Sequence, residues 1–346
     1  MLDINPNFST QRQIMRQNLK LVPTNIEGVM AVEAPPPGFD PRKANLSDLM
    51  KYGIPARPDP ARFPKGAAIW DRILSRTHQI IVPALRIRPE VKKSLYQPPS
   101  SGKATNTSGN WSGGVLLGGG PFDFVYGEWT VPGVSPPGWP NSSQGDGDWW
   151  SVAWVGIDGW NSGDVLQAGT GQHASLKNWV LTTEYFAWFE WYPNSWIEIT
   201  NFPIRPGDTV AVSVQYMGVQ NNLGQGLATL SNLITGQSLS IAFSAPSGTT
   251  LQGNCAEWIL ERPTMNGSLA NLPEYGQVAF TNGLACSATG GTDASQAQAF
   301  TMTDNTGNTL STGSPGGTDW NCTYVLPCSA NSGLGQRTVD HRDRQS

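Results

Sequence analysis

The run Tyr185-Phe186-Ala187-Trp188-Phe189-Glu190-Trp191-Tyr192-Pro193 decides the fold. Its aromatic residues fall on both odd and even positions, so a strand made from it is aromatic on both faces. Glu190 then shares a face with Trp188 and Tyr192. A carboxylate set between large aromatic rings marks either a groove for an extended polymer, peptide or glycan, or a core strand with an acid at its rim.

Outward from this run, residues 105–330 repeat one pattern. Short stretches rich in Val, Ile, Trp, Tyr and Thr are separated every ten residues or so by Gly, Pro, Asn and Asp. They include residues 124–131, 151–155, 185–192, 209–216, 239–243, 256–261, 277–281 and 299–303. This spacing predicts an all-β, antiparallel two-sheet β-sandwich of the concanavalin or jelly-roll kind, and not βαβ units. In Ala256-Glu257-Trp258-Ile259-Leu260-Glu261, alternation places Glu257, Ile259 and Glu261 on one face and Ala256, Trp258 and Leu260 on the other. With Trp258 and Leu260 turned inward, Glu257 lies on the outer face, which is either flat solvent-facing surface or a groove.

Residues 1–104 are of another kind. They carry 16 Lys/Arg against 8 Asp/Glu, only 5 of the 39 Gly and 1 of the 14 Trp, but 14 of the 27 Pro. Residues 105–336 hold three cations, Lys177, Arg205 and Arg262, against 16 acids. The leader reads as irregular and partly helical. Helices are expected over residues 11–21 and 67–75, and prolines 55, 58, 60 and 64 are expected to exclude regular structure between them. It does not form a core by itself. Residues 97–103 have linker composition, and 331–346 form a polar C-terminal tail.

Several classes drop out on composition. No run approaches the ~20 apolar residues of a membrane span, and the N-terminus lacks the apolar h-region of a secretory signal. The large acidic part would repel phosphate, which argues against nucleic-acid binding. With His78, His173 and His341 as the whole histidine complement, multi-histidine metal sites have little to work with, and no HExxH, GxSxG or GxxxxGK[ST] word occurs. Cys255, Cys286, Cys322 and Cys328 contain no CxxC pair and read as structural, paired or free.

Taken singly, Trp154, Asp158, Gln167, Glu190 and Glu257 are weak signals. Their order and wording, however, resemble the glutamic peptidases, the eqolisin family of acid endopeptidases. The matching words are Asn110-Trp111-Ser112-Gly113, Gly127-Glu128-Trp129-Thr130-Val131-Pro132, Ala153-Trp154-Val155-Gly156-Ile157-Asp158-Gly159 and Gln167-Ala168-Gly169. They continue with Trp188-Phe189-Glu190-Trp191-Tyr192-Pro193, Gly207-Asp208, Ala256-Glu257-Trp258-Ile259 and Tyr275-Gly276-Gln277-Val278-Ala279-Phe280. They span roughly residues 110–325. The resemblance implies a concave face bearing a catalytic Gln167–Glu257 dyad, with Trp111, Trp154, Asp158 and Glu190 lining or supporting the cleft. Gln172 competes with Gln167, but only Gln167 directly precedes an Ala-Gly that looks like the family's Thr-Gly. Ala168 replaces that Thr, Phe189 a usual Tyr, and Phe186 stands where the family pattern leads us to expect an acid.

The chemistry follows from the residue types. Hydrolysis of a peptide bond needs a base for water, a donor for the developing oxyanion and an acid for the leaving amine. Glu257 serves as base and then, protonated, as acid. Gln167 offers amide donors and a carbonyl oxygen that orients water. With an unperturbed Glu near 4.3, the dyad suits acidic conditions, and no cofactor or metal is called for. The basic leader reads as a propeptide held at neutral pH by the acidic domain, with self-cleavage near residues 95–109. The expected partners are a polypeptide substrate and the chain's own leader, with no nucleic acid and no membrane, and the protein is expected to be a monomer. The resemblance points to an extracellular protein although no signal peptide is visible. Two other readings compete: a carbohydrate-active jelly roll using Glu190 and Glu257 as paired carboxylates, and a non-catalytic lectin-like module.

Overall fold

The computed structural model describes residues 15, 17–76, 79–91, 95–98, 106–141, 145–288, 290–316 and 319–325. The leader contributes β1 (Leu21–Pro23), β2 (Val29–Val32), α1 (Leu46–Lys51), α2 (Pro64–Leu74), β3 (Gln79–Ile80) and β4 (Leu85–Arg88). The body begins with β5 (Thr107–Ser108), β6 (Trp111–Leu116), β7 (Phe122–Thr130), β8 (Gly147–Asp158), β9 (Val165–Lys177), β10 (Val180–Tyr192) and β11 (Trp196–Ile199). It continues with β12 (Thr209–Gln220), β13 (Leu223–Asn232), β14 (Gln237–Ser244), β15 (Ala256–Glu261), β16 (Thr264–Met265) and β17 (Ser268–Leu269). The last strands are β18 (Gln277–Ser287), β19 (Gly290–Asp293), β20 (Gln298–Thr303), β21 (Thr309–Gly316) and β22 (Asp319–Tyr324).

The pairing is antiparallel except where β3 joins β14 and β5 joins β20. One ladder runs β4–β11–β10–β9–β8–β15–β6–β20. A second runs β18–β7–β12–β13–β14–β2–β1. The two meet face to face over one core, in which Val155, Phe189 and Trp258 from the first pack with Trp129, Val212 and Ile241 from the second. They are not independent sheets, because β18 also pairs β22, and β22–β21–β20 leads back to β6, making one hydrogen-bonded network of 20 strands. Long strands supply the core's depth: β8, β9 and β10 span 12, 13 and 13 residues, well beyond the runs legible in the sequence. β9, VLQAGTGQHASLK, carries little intrinsic strand preference. It is a strand because β8 and β10 flank it and bond both of its edges.

The leader is more ordered than its prolines indicate. Pro64 does not break regular structure but opens α2, at the position where a missing N–H costs nothing. Of the expected helix over 11–21, residues 11–14 and 16 lie outside the described residues; residues 15, 17 and 18 are helical, and the end differs, since Leu21 opens β1 and pairs with Val32. Rather than hanging free, the leader adds β2 and β3 to β14 and β4 to β11.

Candidate active site

The site is built by register. One row of paired residues crosses the first ladder: Glu190 on β10, Gln167 on β9, Gly156 on β8, Glu257 on β15 and Val115 on β6. Because all five are in register, their side chains leave the sheet on the same face, opposite the core. Gln167 and Glu257 are two strand spacings apart, about 10 Å between Cα atoms. The residue between them has no side chain to separate them. A Cβ on Gly156 would lie 2.7 Å from the Trp154 ring and 3.3 Å from the Gln167 Cβ, so glycine is what the row requires. The neighbouring row, Trp188, Gly169, Trp154, Ile259 and Gly113, lays indole rings beside the dyad.

The polar contacts assign roles. Gln167 Nε2 donates to Glu190 Oε2 at 2.7 Å. An ionised carboxylate only accepts, so this contact turns the amide until Oε1 faces the other way. Gln167 Oε1 and both carboxylate oxygens of Glu257 are buried and accept no hydrogen bond among the described residues. Buried polar atoms are ordinarily partnered, and three orphans on one row mark a place where another molecule bonds. Burial drives the Glu257 carboxyl well above its ordinary range, and the Asp158 charge adds to this. The Cys255 thiol, two residues away on the same face, approaches the carboxyl and opposes the shift.

Trp111 and Trp154 are fully buried with rings edge to face at 5.1 Å, forming the floor beside the dyad. Trp154 Nε1 donates to Glu261 Oε2 at 2.9 Å, and Asn110 Nδ2 donates to Glu261 Oε1 at 3.3 Å. Burial, and then the Glu190 charge, raise the Glu261 carboxyl well above the ordinary carboxylate range. Asp158 does not offer its carboxylate to the groove. It accepts from the backbone N–H of Gln252, Gly253 and Asn254 at 2.6, 2.9 and 2.7 Å, fixing the loop that leads into Glu257. Gln172, the competing glutamine, falls on the other parity of β9 and bonds Thr170 and Ser151 there. Phe186 is on the groove face, two residues from Trp188, with its ring under the Arg88 guanidinium at 5.3 Å.

Sequence reasoning assigned no part to Asn110, Cys255, Glu261 or Gly156. Period-two alternation already put Glu261 on the Glu257 face, and that was the available signal. The bonds of Glu261 to Trp154 and Asn110 arise only when β6 and β8 flank β15. Among the described residues no group of three or more His, Cys, Asp or Glu is placed to hold a metal ion. Cys255, Cys286 and Cys322 are free and buried.

The concave face is covered by the leader. After β4, Val91 bridges Met265, and Asn266 N donates to Glu90 O at 2.9 Å. Leu95 and Tyr96 then pack in the cluster that contains Trp111, Trp154, Trp188 and Cys255. Tyr96 meets Trp160 edge to face at 4.1 Å, and Asn110 clamps the strip from both sides, donating to Leu95 O and accepting from Gln97 N. The strip thus joins the indole cluster beside Gln167 and Glu257, both of which are fully buried on the face opposite the main core.

Comparison with known proteins places this geometry. Residues 109–324 match the profile of the peptidase A4 family. The chain is 34% identical over 231 residues to aspergillopepsin-2 of Aspergillus niger, covering 63% of this chain and 78% of that one. It is 34% identical over 171 residues to scytalidopepsin B of Scytalidium lignicola, covering 49% and 58% respectively. A crystal structure of scytalido-glutamic peptidase with a transition state analog inhibitor superimposes with a TM-score of 0.51 at 30% identity, over 63% of this chain and 98% of that one.

Proposed function

Because the chain belongs to the peptidase A4 family, the glutamic peptidases, and is a peptide-bond hydrolase, we propose that Glu257 and Gln167 carry its chemistry as an acid endopeptidase. The observation that supports this most directly is the shared row, with Gln167 and Glu257 facing each other across a bare glycine. Once the leader strip is off and water reaches the site, the burial that raises the Glu257 carboxyl is relieved, and Glu257, ionised, takes a proton from water as the water attacks the scissile carbonyl. The tetrahedral oxyanion receives a hydrogen bond from Gln167 Nε2, whose other hydrogen is held by Glu190. Protonated Glu257 then donates to the leaving amine. Trp111 and Trp154 shape the floor, and Asp158 holds the loop before β15 so that Glu257 stays aimed. Glu190 is three strand spacings from Glu257, about 14 Å between Cα atoms, and is already bonded to Gln167. That arrangement suits a dyad better than the paired carboxylates of a glycosidase.

Digestion of an unfolded protein at pH 3–4 tests the assignment, comparing wild type with Glu257→Gln and Gln167→Ala. Losing the general base is expected to lower turnover by roughly 10²–10⁴, and losing an oxyanion donor by roughly 10²–10³. Activity that survives both changes refutes it.

The fold is read as a two-sheet sandwich closed at one side, and residues 1–104 as a propeptide. Its cations sit on acids of the body: Arg72 on the buried Glu128, Lys65 on the half-buried Asp293 and the buried Asp319, and Arg86 and Arg88 on the buried Glu198. At low pH the acidic body as a whole loses negative charge and its hold on the basic leader weakens, the strip over the groove loosens, and self-cleavage near residues 95–109 uncovers the dyad. The substrate is a polypeptide, the enzyme acts as a monomer, and its place is outside the cell. Acid-treated protein that stays folded and full-length would refute self-processing.

A further inference from the structure

The turn between β9 and β10 holds a side chain that neither the core nor the groove uses. Only two residues, Asn178 and Trp179, separate Lys177 from its partner Val180, and their φ values are 50° and 64°. Positive φ at both central positions is the pattern of a type I′ hairpin turn, where Asn followed by Gly is the favoured pair. Asn178 fits, and its N–H is anchored on Asp146 Oδ1 at 2.9 Å. Trp179 does not fit, because a bulky side chain is strained in the left-handed region. Nor is that strain offset by burial: Trp179 is 66% exposed and the next residue, Val180, 62%. An exposed indole held in a strained position points to a use outside the fold.

A second indole lies beside it. Trp139, on the loop after β7, is half-buried against the main core, and its ring centre is 6.0 Å from that of Trp179 with 32° between the planes. The loop is fixed by Gly138 N–H donating to Glu274 Oε2 at 2.9 Å and by the backbone pair of Ser135 with Glu274. One ring is therefore set by the body and the other is presented by a tight hairpin, and together they form an aromatic shelf. The shelf is remote from the dyad, since Gln167 and Lys177 are ten residues apart along β9, roughly 34 Å.

We propose that Trp139 and Trp179 form a binding site for a neutral, β-linked polysaccharide, which anchors the peptidase on an insoluble glycan while the groove stays free. The chemistry of the shelf selects this ligand. A sugar ring turns a face of C–H groups onto the electron-rich face of an indole, and an extended β-linked chain presents such faces one after another. Its hydroxyls need polar partners at the rim, and the exposed Asn141 and Asn178 stand next to the two indoles in the chain. Charge argues against other surfaces. Residues 105–336 hold three cations against 16 acids, and of these cations only Lys177 adjoins the turn, so an anionic membrane or a nucleic acid is disfavoured. A two-residue turn with one neighbouring ring is also smaller than a stable protein–protein interface.

The test mixes the full chain at pH 7 with microcrystalline cellulose and, separately, with chitin, and measures the protein left in the supernatant. Depletion is expected on at least one solid, reversed by the soluble oligosaccharide of the same linkage. Trp179→Ala and Trp139→Ala should each weaken retention at least about fivefold through loss of one stacked ring, while digestion of a soluble unfolded protein at pH 3–4 by Trp179→Ala stays within about twofold of wild type. Trp179→Gly separates binding from folding. Glycine is relaxed at φ 64°, so this variant should lose retention equally while its melting temperature holds or rises by about 2–4 °C. Absence of depletion on both solids, retention unchanged in Trp179→Ala, or a Trp179→Gly melting temperature more than about 2 °C below wild type each overturns the proposal. So does retention on vesicles of anionic phospholipid that is lost in Trp179→Ala, which would make the shelf a membrane anchor.

Discussion

Asp158→Asn probes how the body aims Glu257, the proposed general base. In the wild type, Asp158 Oδ2 accepts from Gln252 N and Gly253 N and Oδ1 from Asn254 N, all at 2.6–2.9 Å, and the side chain is fully buried. The residue sits at φ 69°, a left-handed conformation that Asn adopts as readily as Asp, so the substitution leaves the backbone unstrained. An asparagine oxygen on the Oδ2 side keeps two bonds, now without charge. Its NH₂ then points at the Asn254 N–H, donor against donor. One buried donor left unsatisfied costs about 1–3 kcal/mol, and two bonds weaken from charge-assisted to neutral, while the desolvation of a buried carboxylate is relieved. The balance is about 3 kcal/mol, or roughly 6–12 °C in melting temperature for a domain of about 200 residues. Because the freed loop leads directly into Cys255 and Glu257, peptidase turnover should fall at least about tenfold, within the range that displacement of a catalytic group by ~1 Å produces. Melting by circular dichroism and peptide digestion at pH 3–4 read the two effects. A melting temperature within 2 °C of wild type, in either Asp158→Asn or Asp158→Ala, would show that the carboxylate does not hold this loop.

Stability should peak near pH 4. Burial raises the carboxyls of Glu257, Glu261, Asp164 and Asp319, so their folded forms hold protons that the unfolded chain gives up, and stability falls as pH rises above about 4. Asp304, held at about 2 by its bonds to Thr306 and Asn308, and the lowered Asp148 and Asp293 act the other way, so stability is lost again below about pH 3.8. A melting temperature that declines steadily from pH 8 to pH 4 contradicts this. Arg72→Ala strands the buried Glu128 and should cost about 2–3 kcal/mol in urea unfolding at pH 7, discounted because Arg72 is itself one-third exposed; Arg72→Lys, which keeps the charge, should recover part of the loss, and an unfolding midpoint for Arg72→Ala equal to that of wild type counts against the ion pair. Gly169→Ala brings a Cβ to 2.0 Å from Ala153 O and should destabilise by about 3 kcal/mol, whereas Gly163→Ala, with open space around it, should be near neutral. Comparable melting temperatures for the two variants would contradict the close approach of β8 and β9.

Much of the body was legible because its signals are local. Alternation in Ala256–Glu261 put Trp258 and Leu260 inward and Glu257 outward, as the structure has them. The aromatic run at 185–192 is a strand with both faces buried, Phe189 and Trp191 in the main core and Trp188 on the groove. β9 was illegible since glycine, alanine and glutamine carry no period, and Gln167 was singled out by wording, not by pattern. The leader was misjudged in one respect. Its prolines were given more weight than its short apolar runs, which find partners only on the edge of β14 and the face of β7 and β12.

The sequence by itself determined an all-β body almost stripped of cations, a basic leader, and the residues proposed to carry the chemistry. Side-chain period and composition are properties of the chain and need no partner. Only the tertiary structure decided that Glu190, Gln167, Gly156 and Glu257 stand in one row, that Asp158 serves a loop and not the groove, and that the leader grips two ladder edges while masking the dyad. Those relations are set by the register between strands far apart in the chain, Gly156 and Glu257 being paired across 101 residues, and register is fixed by the packing of the whole core.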